Sequence, residues 1–380
     1  MLRKGLQMYK LEVKNGVFFI KIFHFSCKPL IMLQKELINW YLVNKRELPW
    51  RNTSNPYIIW LSEIILQQTR IQQGLPYFEK FLKKFPTLKK LASAQNHEIM
   101  KLWQGLGYYS RARNMHQTAK IIINEHKGKF PDKYHEIIKL KGIGPYTAAA
   151  IASFAFNEAV AVVDGNVHRV LSRYHAVSIS INTSDGKKYF AQLANDFLNK
   201  KAPAIHNQAM MELGSVICKP QNPLCNSCPL SKNCIAFSLK QQSLFPKKEI
   251  KPGVKNRYLH YFYFSTKGKI AIYQRPAGDI WQNLFDLPLI EFDREIGTED
   301  LRKALISKNW FKPDKKLKLY LAMQTKHKLT HQNLFASFWI IKLKQKPQLE
   351  EMFIWINSFD LKEYAISRLL DKFLIAQKLI

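Results

Sequence analysis

The chain has 380 residues, 47% of them hydrophobic, enough for two or three domains with real cores and incompatible with a disordered protein. Its 59 Lys and Arg against 28 Asp and Glu give a formal charge of +31, which favours polyanionic partners such as nucleic acid or an anionic membrane surface. No stretch approaches the roughly 18 consecutive apolar residues of a membrane-spanning helix, and the sparse cysteines point to a reduced, cytoplasmic setting.

Residues 1–31 are basic and aromatic. Val17-Phe18-Phe19-Ile20 and Ile22-Phe23 are broken by Lys21, and no small-residue cleavage site follows, so this is a poor signal peptide. The segment reads as an atypical, disordered N-terminal extension: either sequence upstream of the natural start or a short basic arm. From residue 32 to 237, apolar residues recur at three- and four-residue spacing between short Gly, Pro or Asn breaks, which predicts one all-α domain.

Within it, residues 57–69 predict an amphipathic helix with apolar neighbours on both sides of Glu63. A carboxyl in that setting has a raised pKa and carries a proton near neutrality; the plainer alternative is a Glu at the edge of the apolar face with its head in water. Further on, Leu140-Lys141-Gly142-Ile143-Gly144-Pro145-Tyr146-Thr147-Ala148 lies between helical patterns at 132–139 and 147–154. Gly142 and Gly144 permit a tight turn whose amides, with those of the next helix start, can face a phosphate. This is a helix-hairpin-helix pattern that grips DNA without reading sequence, or else an ordinary αα-corner with a glycine turn. About twenty residues later, Asp164 ends an apolar run at the start of a new helical pattern. There, as an N-cap, amides keep a carboxylate ionised, though a plain cap has the same signature. A protonated Glu and an ionised Asp together are what cleavage of a glycosidic bond requires.

Cys218-x6-Cys225-x2-Cys228-x5-Cys234 closes the helical region, and Cys27 is the remaining cysteine. Four thiolates at unequal spacing suit a cubane iron–sulfur cluster. Zinc more usually draws on two Cys-x2-Cys pairs, and disulfides are a third reading. A basic, Pro-bearing stretch at 238–256 predicts a linker. Beyond it the period changes to two, with strands at 258–265, 269–274 and 334–343 and a closing helix at 361–378, so residues 257–380 form a separate α+β domain.

Hairpin, Asp and cysteine quartet in this order resemble the helix-hairpin-helix DNA glycosylases with an Fe–S loop. Leu48-Pro49-Trp50-Arg51, Trp60-Leu61-Ser62-Glu63, Leu66-Gln67-Gln68-Thr69, Gly105-Leu106-Gly107-Tyr108-Tyr109-Ser110-Arg111-Ala112-Arg113-Asn114 and Asn207-Gln208-Ala209-Met210-Met211-Glu212-Leu213-Gly214 narrow the match to the adenine DNA glycosylase (MutY) family. The resemblance covers residues 33–375 or so. It implies a multidomain protein: an all-α glycosylase core with an Fe–S loop at 218–234, followed by a MutT/Nudix-like α+β domain. It also implies a [4Fe-4S] cluster on Cys218, Cys225, Cys228 and Cys234, and a monomer acting in the cytoplasm on nucleoid DNA.

The implied reaction is hydrolytic removal of adenine mispaired with 8-oxoguanine or guanine in double-stranded DNA, after the base is flipped. By resemblance Glu63 protonates the adenine and helps activate water, Asp164 stabilises the sugar cation, and Asn166 orients these groups. Trp50, Arg51, Leu66 and Glu212 match the lining of the adenine pocket; Gln68, Thr69, Leu106 and Tyr108 match residues that fill the vacated space and touch the opposite base. Tyr146 stands where the relative endonuclease III carries a lysine nucleophile, so a bifunctional lyase fails at this position. A non-catalytic Fe–S DNA-binding scaffold would not need Glu63 and Asp164. The C-terminal domain lacks the acidic REUxEE helix of Nudix hydrolases, and its sensing loop is Lys328-Leu329-Thr330-His331. Family members commonly carry Phe-Ser-His, so Thr330 and His331 keep a hydroxyl and the imidazole without the aromatic.

Overall fold

The computed structural model describes residues 11–14, 17–20, 27–249, 253–312, 317–329 and 331–379, with only the backbone described for 11–14, 17–20 and 27–29. The predicted extension therefore lies partly outside the described residues, as does Thr330. Two strands, β1 (Leu11–Lys14) and β2 (Val17–Ile20), pair antiparallel. The helices of the all-α region follow: α1 (Cys27–Asn44), α2 (Pro56–Leu66), α3 (Ile71–Lys84), α4 (Leu88–Ser93), α5 (Asn96–Trp103) and α6 (Ser110–Glu125). After these come α7 (Tyr134–Ile137), α8 (Pro145–Phe156), α9 (Gly165–Tyr174), α10 (Ser184–Phe197), α11 (Pro203–Val216) and α12 (Ile235–Ser238). The chain divides into two compact units: residues 1–68, 87–89 and 118–250 in the first, and 69–86, 90–117 and 251–380 in the second.

In the first unit, α1, α9, α10 and α11 close around a core that includes Leu37, Tyr41, Leu171, Phe190, Ala209 and Leu213. Helix α2 starts where the side chain of Asn55 accepts from the Tyr57 amide (3.0 Å) ahead of Pro56, whose ring suits the first helical turn. Sequence predicted an amphipathic helix over 57–69. Instead α2 stops at Leu66 and is buried on nearly every side, because residues 57–65 are apolar apart from Ser62 and Glu63. Its partner α8 is lined with Ala148, Ala149, Ala150 and Ala152, which let the two helices approach closely. The hairpin's helices are α7 and α8, the first much shorter than the predicted 132–139.

In the second unit, Phe81 on α3 packs edge-on against Trp103 on α5 (centroids 5.6 Å apart). The same unit carries a mixed seven-stranded sheet of β3 (Lys255–Thr266), β4 (Lys269–Gln274), β5 (Phe285–Asp286), β6 (Leu289–Phe292), β7 (Tyr320–Lys328), β8 (Gln332–Lys342) and β9 (Phe353–Asn357). The order is β5-β4-β3-β8-β7, with β6 also on β3 and β9 on β4. β3 and β8 run parallel from Lys255↔Gln332 to Ser265↔Lys342. Residues 259–264 of β3 are buried without alternation, as expected of a central strand covered on both faces. One cover is α13 (Thr298–Ser307), whose Leu301 and Leu305 meet Phe262, Phe264 and Trp310. The predicted closing helix at 361–378 is interrupted. A 3-10 turn ends at Glu363, residues 364–366 run along β5, and Ser367 then caps α14 (Arg368–Ala376) by accepting from the Leu370 amide (3.1 Å).

Buried histidines make this fold acid-sensitive. His206 (2% exposed) and His175 are pushed down to about 4 by burial, so between pH 6.5 and 4 the unfolded chain binds protons the folded chain refuses. The histidines' contribution to stability is fully present above pH 6.5 and is lost as pH falls toward 4, by up to roughly 3 kcal/mol for His206 alone. Denaturant unfolding at pH 7 and pH 5 is expected to show the midpoint moving to lower denaturant on acidification.

Candidate active site

Glu63 lies in the buried third turn of α2, 7% exposed. Tyr146, second residue of α8, reaches it because the two helices pack together, and its hydroxyl donates to Glu63 Oε2 at 2.5 Å. Burial pushes the Glu63 carboxyl up to about 7; nearby Asp164 adds to the rise, while the Tyr146 hydrogen bond and Arg51 oppose it. Tyr146 is held well above the ordinary phenol value by burial and by the two carboxylates, so it stays a proton donor. Gln67, just past α2, donates to Thr147 Oγ1 (3.0 Å) and ties the same two helices together.

Asp164 is the N-cap of α9, as predicted. Its Oδ1 accepts from the Val167 amide (2.7 Å), and its Oδ2 accepts from Asn166 Nδ2 (2.7 Å). Burial raises its pKa above the usual carboxylate value, and the Val167 and Asn166 donors offset part of the rise. Asn166 Oδ1 in turn accepts from Arg169 (2.8 Å), which also donates to the carbonyls of Gly214 (2.6 Å) and Cys218 (2.7 Å). α11 crosses here so closely that a Cβ on Gly214 would lie 2.6 Å from Asn166 Cβ and 2.9 Å from the Asn166 carbonyl oxygen.

A second charged group adjoins these carboxyls. Glu212 on α11 has a fully buried side chain. Arg46 holds it bidentately (2.7 Å to each oxygen), and Arg51 Nη2 donates to Oε2 at 2.5 Å, which hold the carboxyl down at about 2 despite burial. Arg51 also lies 5.6 Å from the centroid of the Tyr41 ring. Trp50, in the short 3-10 turn with Arg51, is buried, and Leu66 ends α2 half-buried. Glu63, Tyr146, Asp164, Asn166, Trp50, Arg51, Leu66 and Glu212 all belong to the first unit. Sequence reasoning missed Arg46 and Arg169. Arg46 lies in a loop outside any apolar period and Arg169 on the polar side of the α9 pattern, so only the partner carboxylate and amide reveal them.

The residues matched to DNA and opposite-base contact are more dispersed. Gly142 adopts φ +74°, a conformation open to glycine, and Gly144 caps α8 with extended backbone. Buried Ile143 anchors the turn between them, and Thr118 Oγ1 donates to the Lys141 carbonyl (2.6 Å). Gln68 and Thr69, predicted within a helix, lie past its end, Gln68 exposed and at φ +54°. In the second unit Leu106 is buried, while Tyr108 is 48% exposed at φ +48°. His331 is exposed in the β7–β8 turn, where the Leu329 amide donates to the Gln332 carbonyl (2.8 Å).

The four cysteines of the quartet are free and half-buried. They act on one another electrostatically, and Arg173 donates to Cys218 Sγ (3.4 Å) and to the Lys219 (2.7 Å) and Pro220 (3.0 Å) carbonyls. Among the described residues, no three His, Cys, Asp or Glu side chains converge on a single-ion site. No described helix is long and apolar enough to cross a membrane.

The chain is similar to known proteins along both of its parts. Residues 61–200 match the HhH-GPD superfamily of base excision DNA repair proteins, and residues 260–376 match the NUDIX domain. The adenine DNA glycosylase of Buchnera aphidicola subsp. Baizongia pistaciae is 38% identical over 323 residues, spanning 82% of this chain and 86% of its own. The human adenine DNA glycosylase is 41% identical over 215 residues, 54% of this chain and 39% of its own. Among solved structures, a thermostable thymine-DNA glycosylase aligns over 56% of this chain and 98% of its own, with TM-score 0.52 and 28% identity. With the helix-hairpin-helix unit, the Nudix-like sheet and a relative this similar along most of its length, the chain belongs to the adenine DNA glycosylase family.

Proposed function

We propose that this chain removes adenine mispaired with 8-oxoguanine or guanine from double-stranded DNA, as a monofunctional glycosylase acting as a monomer. The observation that carries the reading is the Glu63–Tyr146 pair beside Asp164. One carboxyl has a pKa near neutrality, so it can deliver a proton to the departing base. The other is fixed by two N–H donors, so it can meet positive charge developing on the sugar. In this reading Glu63 protonates the flipped adenine and then assists water, Asp164 stabilises the oxocarbenium-like sugar, and Asn166 holds Asp164 in place. Trp50, Leu66, Arg51 and Glu212 line the adenine pocket, with Arg46 fixing the last. The hydroxyl of Tyr146 cannot form a Schiff base, so the backbone stays uncut. The turn at Gly142 and Gly144 takes a phosphate, and the +31 charge favours the duplex electrostatically.

Opposite-base contact falls to Gln68, Thr69, Leu106, Tyr108 and the turn with His331; Thr330 lies outside the described residues. Three of the acids between residues 278 and 297, where a Nudix hydrolase would carry its metal helix, are engaged by arginines: Asp279 and Asp286 by Arg275 (2.5 and 2.8 Å), and Glu291 by Arg257 (2.6 Å). This supports a sensing rather than a hydrolytic role for the domain. Cys218, Cys225, Cys228 and Cys234 would hold a [4Fe-4S] cluster. Four free, half-buried thiols that act on one another electrostatically supply one sulfur for each iron corner of such a cluster, and Arg173 suits its negative charge. Such a cluster supplies cross-linking of the loop and no bond-breaking chemistry. Iron and sulfide analysis of the purified protein checks it.

The test is incubation with duplexes holding adenine opposite 8-oxoguanine, followed by hot alkali. Abasic sites cleaved only by alkali are expected; breaks without alkali would indicate a lyase, and no abasic sites would end the enzymatic reading. Glu63→Gln is expected to keep DNA binding and lose base release.

The pH profile gives a sharper check. Base release that needs protonated Glu63 declines as pH rises through about 7. Tyr146→Phe removes the hydrogen bond that lowers this pKa, so the alkaline limb should move to higher pH. A limb that stays in place would remove Glu63 from the acid role.

Gly214→Ala puts a methyl where Asn166 stands. Adenine release should slow by about tenfold or more, corresponding to roughly 1.4 kcal/mol of transition-state stabilisation, as measured in single turnovers.

A further inference from the structure

The 105–109 loop and the sheet belong to the same unit, and the loop's backbone is held from two sides. From the helical side, the Tyr77 hydroxyl donates to the Gln104 carbonyl (2.8 Å), and Trp103 Nε1 and Arg111 donate to the Gly107 carbonyl (3.0 and 3.2 Å). From the sheet side, both backbone groups of Ile366 are taken by the loop. Its amide donates to Gln104 Oε1 (3.4 Å), and its carbonyl accepts from the Tyr109 hydroxyl (3.3 Å). That same hydroxyl accepts from the Gly105 amide (3.3 Å), so one oxygen, on a side chain 2% exposed, joins the loop backbone to Ile366.

Two cations extend this contact. Lys101 Nζ donates to the Tyr364 carbonyl (3.1 Å), and Arg113 donates to the Gln282 carbonyl (2.8 Å). The 364–366 segment is itself fixed to the sheet, because the Phe285 amide of β5 donates to the Ala365 carbonyl (2.8 Å). The loop needs such support. Gly105, Gly107 and Tyr108 have φ of +98°, +74° and +48°, and a tyrosine in the left-handed region stays there only when its surroundings hold it.

We propose that Tyr109 is a positioning residue which, with Lys101, Gln104 and Arg113, clasps the 105–109 loop to the 364–366 segment, so that discrimination of the opposite base depends on the docking of the sheet domain. This rests on the reading of Leu106 and Tyr108 as opposite-base contacts. The clasp predicts an effect on specificity rather than on base release itself, because none of its members belongs to the Glu63 and Asp164 machinery.

The experiment uses the full chain as Tyr109→Phe, Lys101→Met and the double variant, with Tyr108→Ala in parallel. Single-turnover adenine release is measured opposite 8-oxoguanine and opposite guanine, and hydrogen exchange is followed at residues 104–109. The double variant is expected to lose about tenfold in the ratio of the two rates, while the rate opposite guanine stays within about twofold. Exchange should rise in 104–109 and not in α2, α8 or α9. Equal losses on both duplexes, or an unchanged ratio, would overturn the clasp. If Tyr108→Ala also leaves the ratio unchanged, the opposite-base reading of the loop fails; if it lowers the ratio while the clasp variants do not, the clasp alone fails.

Discussion

The proposed chemistry depends on keeping one carboxyl where its charge is disfavoured. Glu63 is buried because α2 is buried, and α2 is buried because residues 57–65 offer no polar face to water apart from Ser62 and Glu63 itself. An amphipathic helix would have turned the carboxyl outward, and its pKa would have stayed ordinary. The close approach of α8, permitted by its alanines, then brings Tyr146 to the same carboxyl as a donor rather than as a base. The phenol partly satisfies Glu63 without neutralising it, so the group remains able to hold or release a proton near neutrality.

Helix α9 transmits a second constraint. Asp164 caps its first turn, while Arg169 and Arg173, four residues apart on one face, reach back to the cysteine loop. Arg169 gives up hydration yet finds Asn166 and the carbonyls of Gly214 and Cys218. Arg173 finds the Lys219, Pro220, Gln242 and Phe245 carbonyls. Two guanidiniums thus satisfy carbonyls of a loop that has little regular structure of its own. The same bonds tether residues 242–245, so part of the stretch read as a linker is fastened to the first unit. The closeness of Gly214 to Asn166 completes this joint, since any larger residue would displace the side chain that orients Asp164.

Much of the fold was legible because its signals are local. The change of apolar period near residue 257 marks the sheet, and Gly142 and Gly144 mark the hairpin. An Asp after an apolar run marks the start of α9. What was not legible is set by tertiary context. The burial of α2 on nearly every side and its early end before Gln68 each depend on neighbours far along the chain. Arg46 was invisible for the same reason: its role exists only because Glu212, 166 residues later, is buried beside it. The break in the final helix follows from residues 364–366 pairing with β5, a contact that no helical period can announce.

Buried titratable groups also set opposing demands on stability. Glu63, raised to about 7, contributes stability that is complete below pH 4.5 and lost as pH rises through 7, roughly 3 kcal/mol of it. Asp286, raised to about 6 by burial beside Arg275, acts in the same direction. His168, His175, His206 and His260, all lowered to about 4, act in the opposite one, and Glu212, held near 2 by its arginines, resists acid only until that far lower range. The lowered histidines make acidification costly to the fold, even though protonation of Glu63 is what the proposed chemistry asks for. The fold therefore favours neutral pH for stability, and a Glu63 pKa near 7 is the value at which a proton is still available there. A Glu63 with an ordinary carboxyl pKa would carry that proton only under conditions in which the histidines destabilise the structure around it.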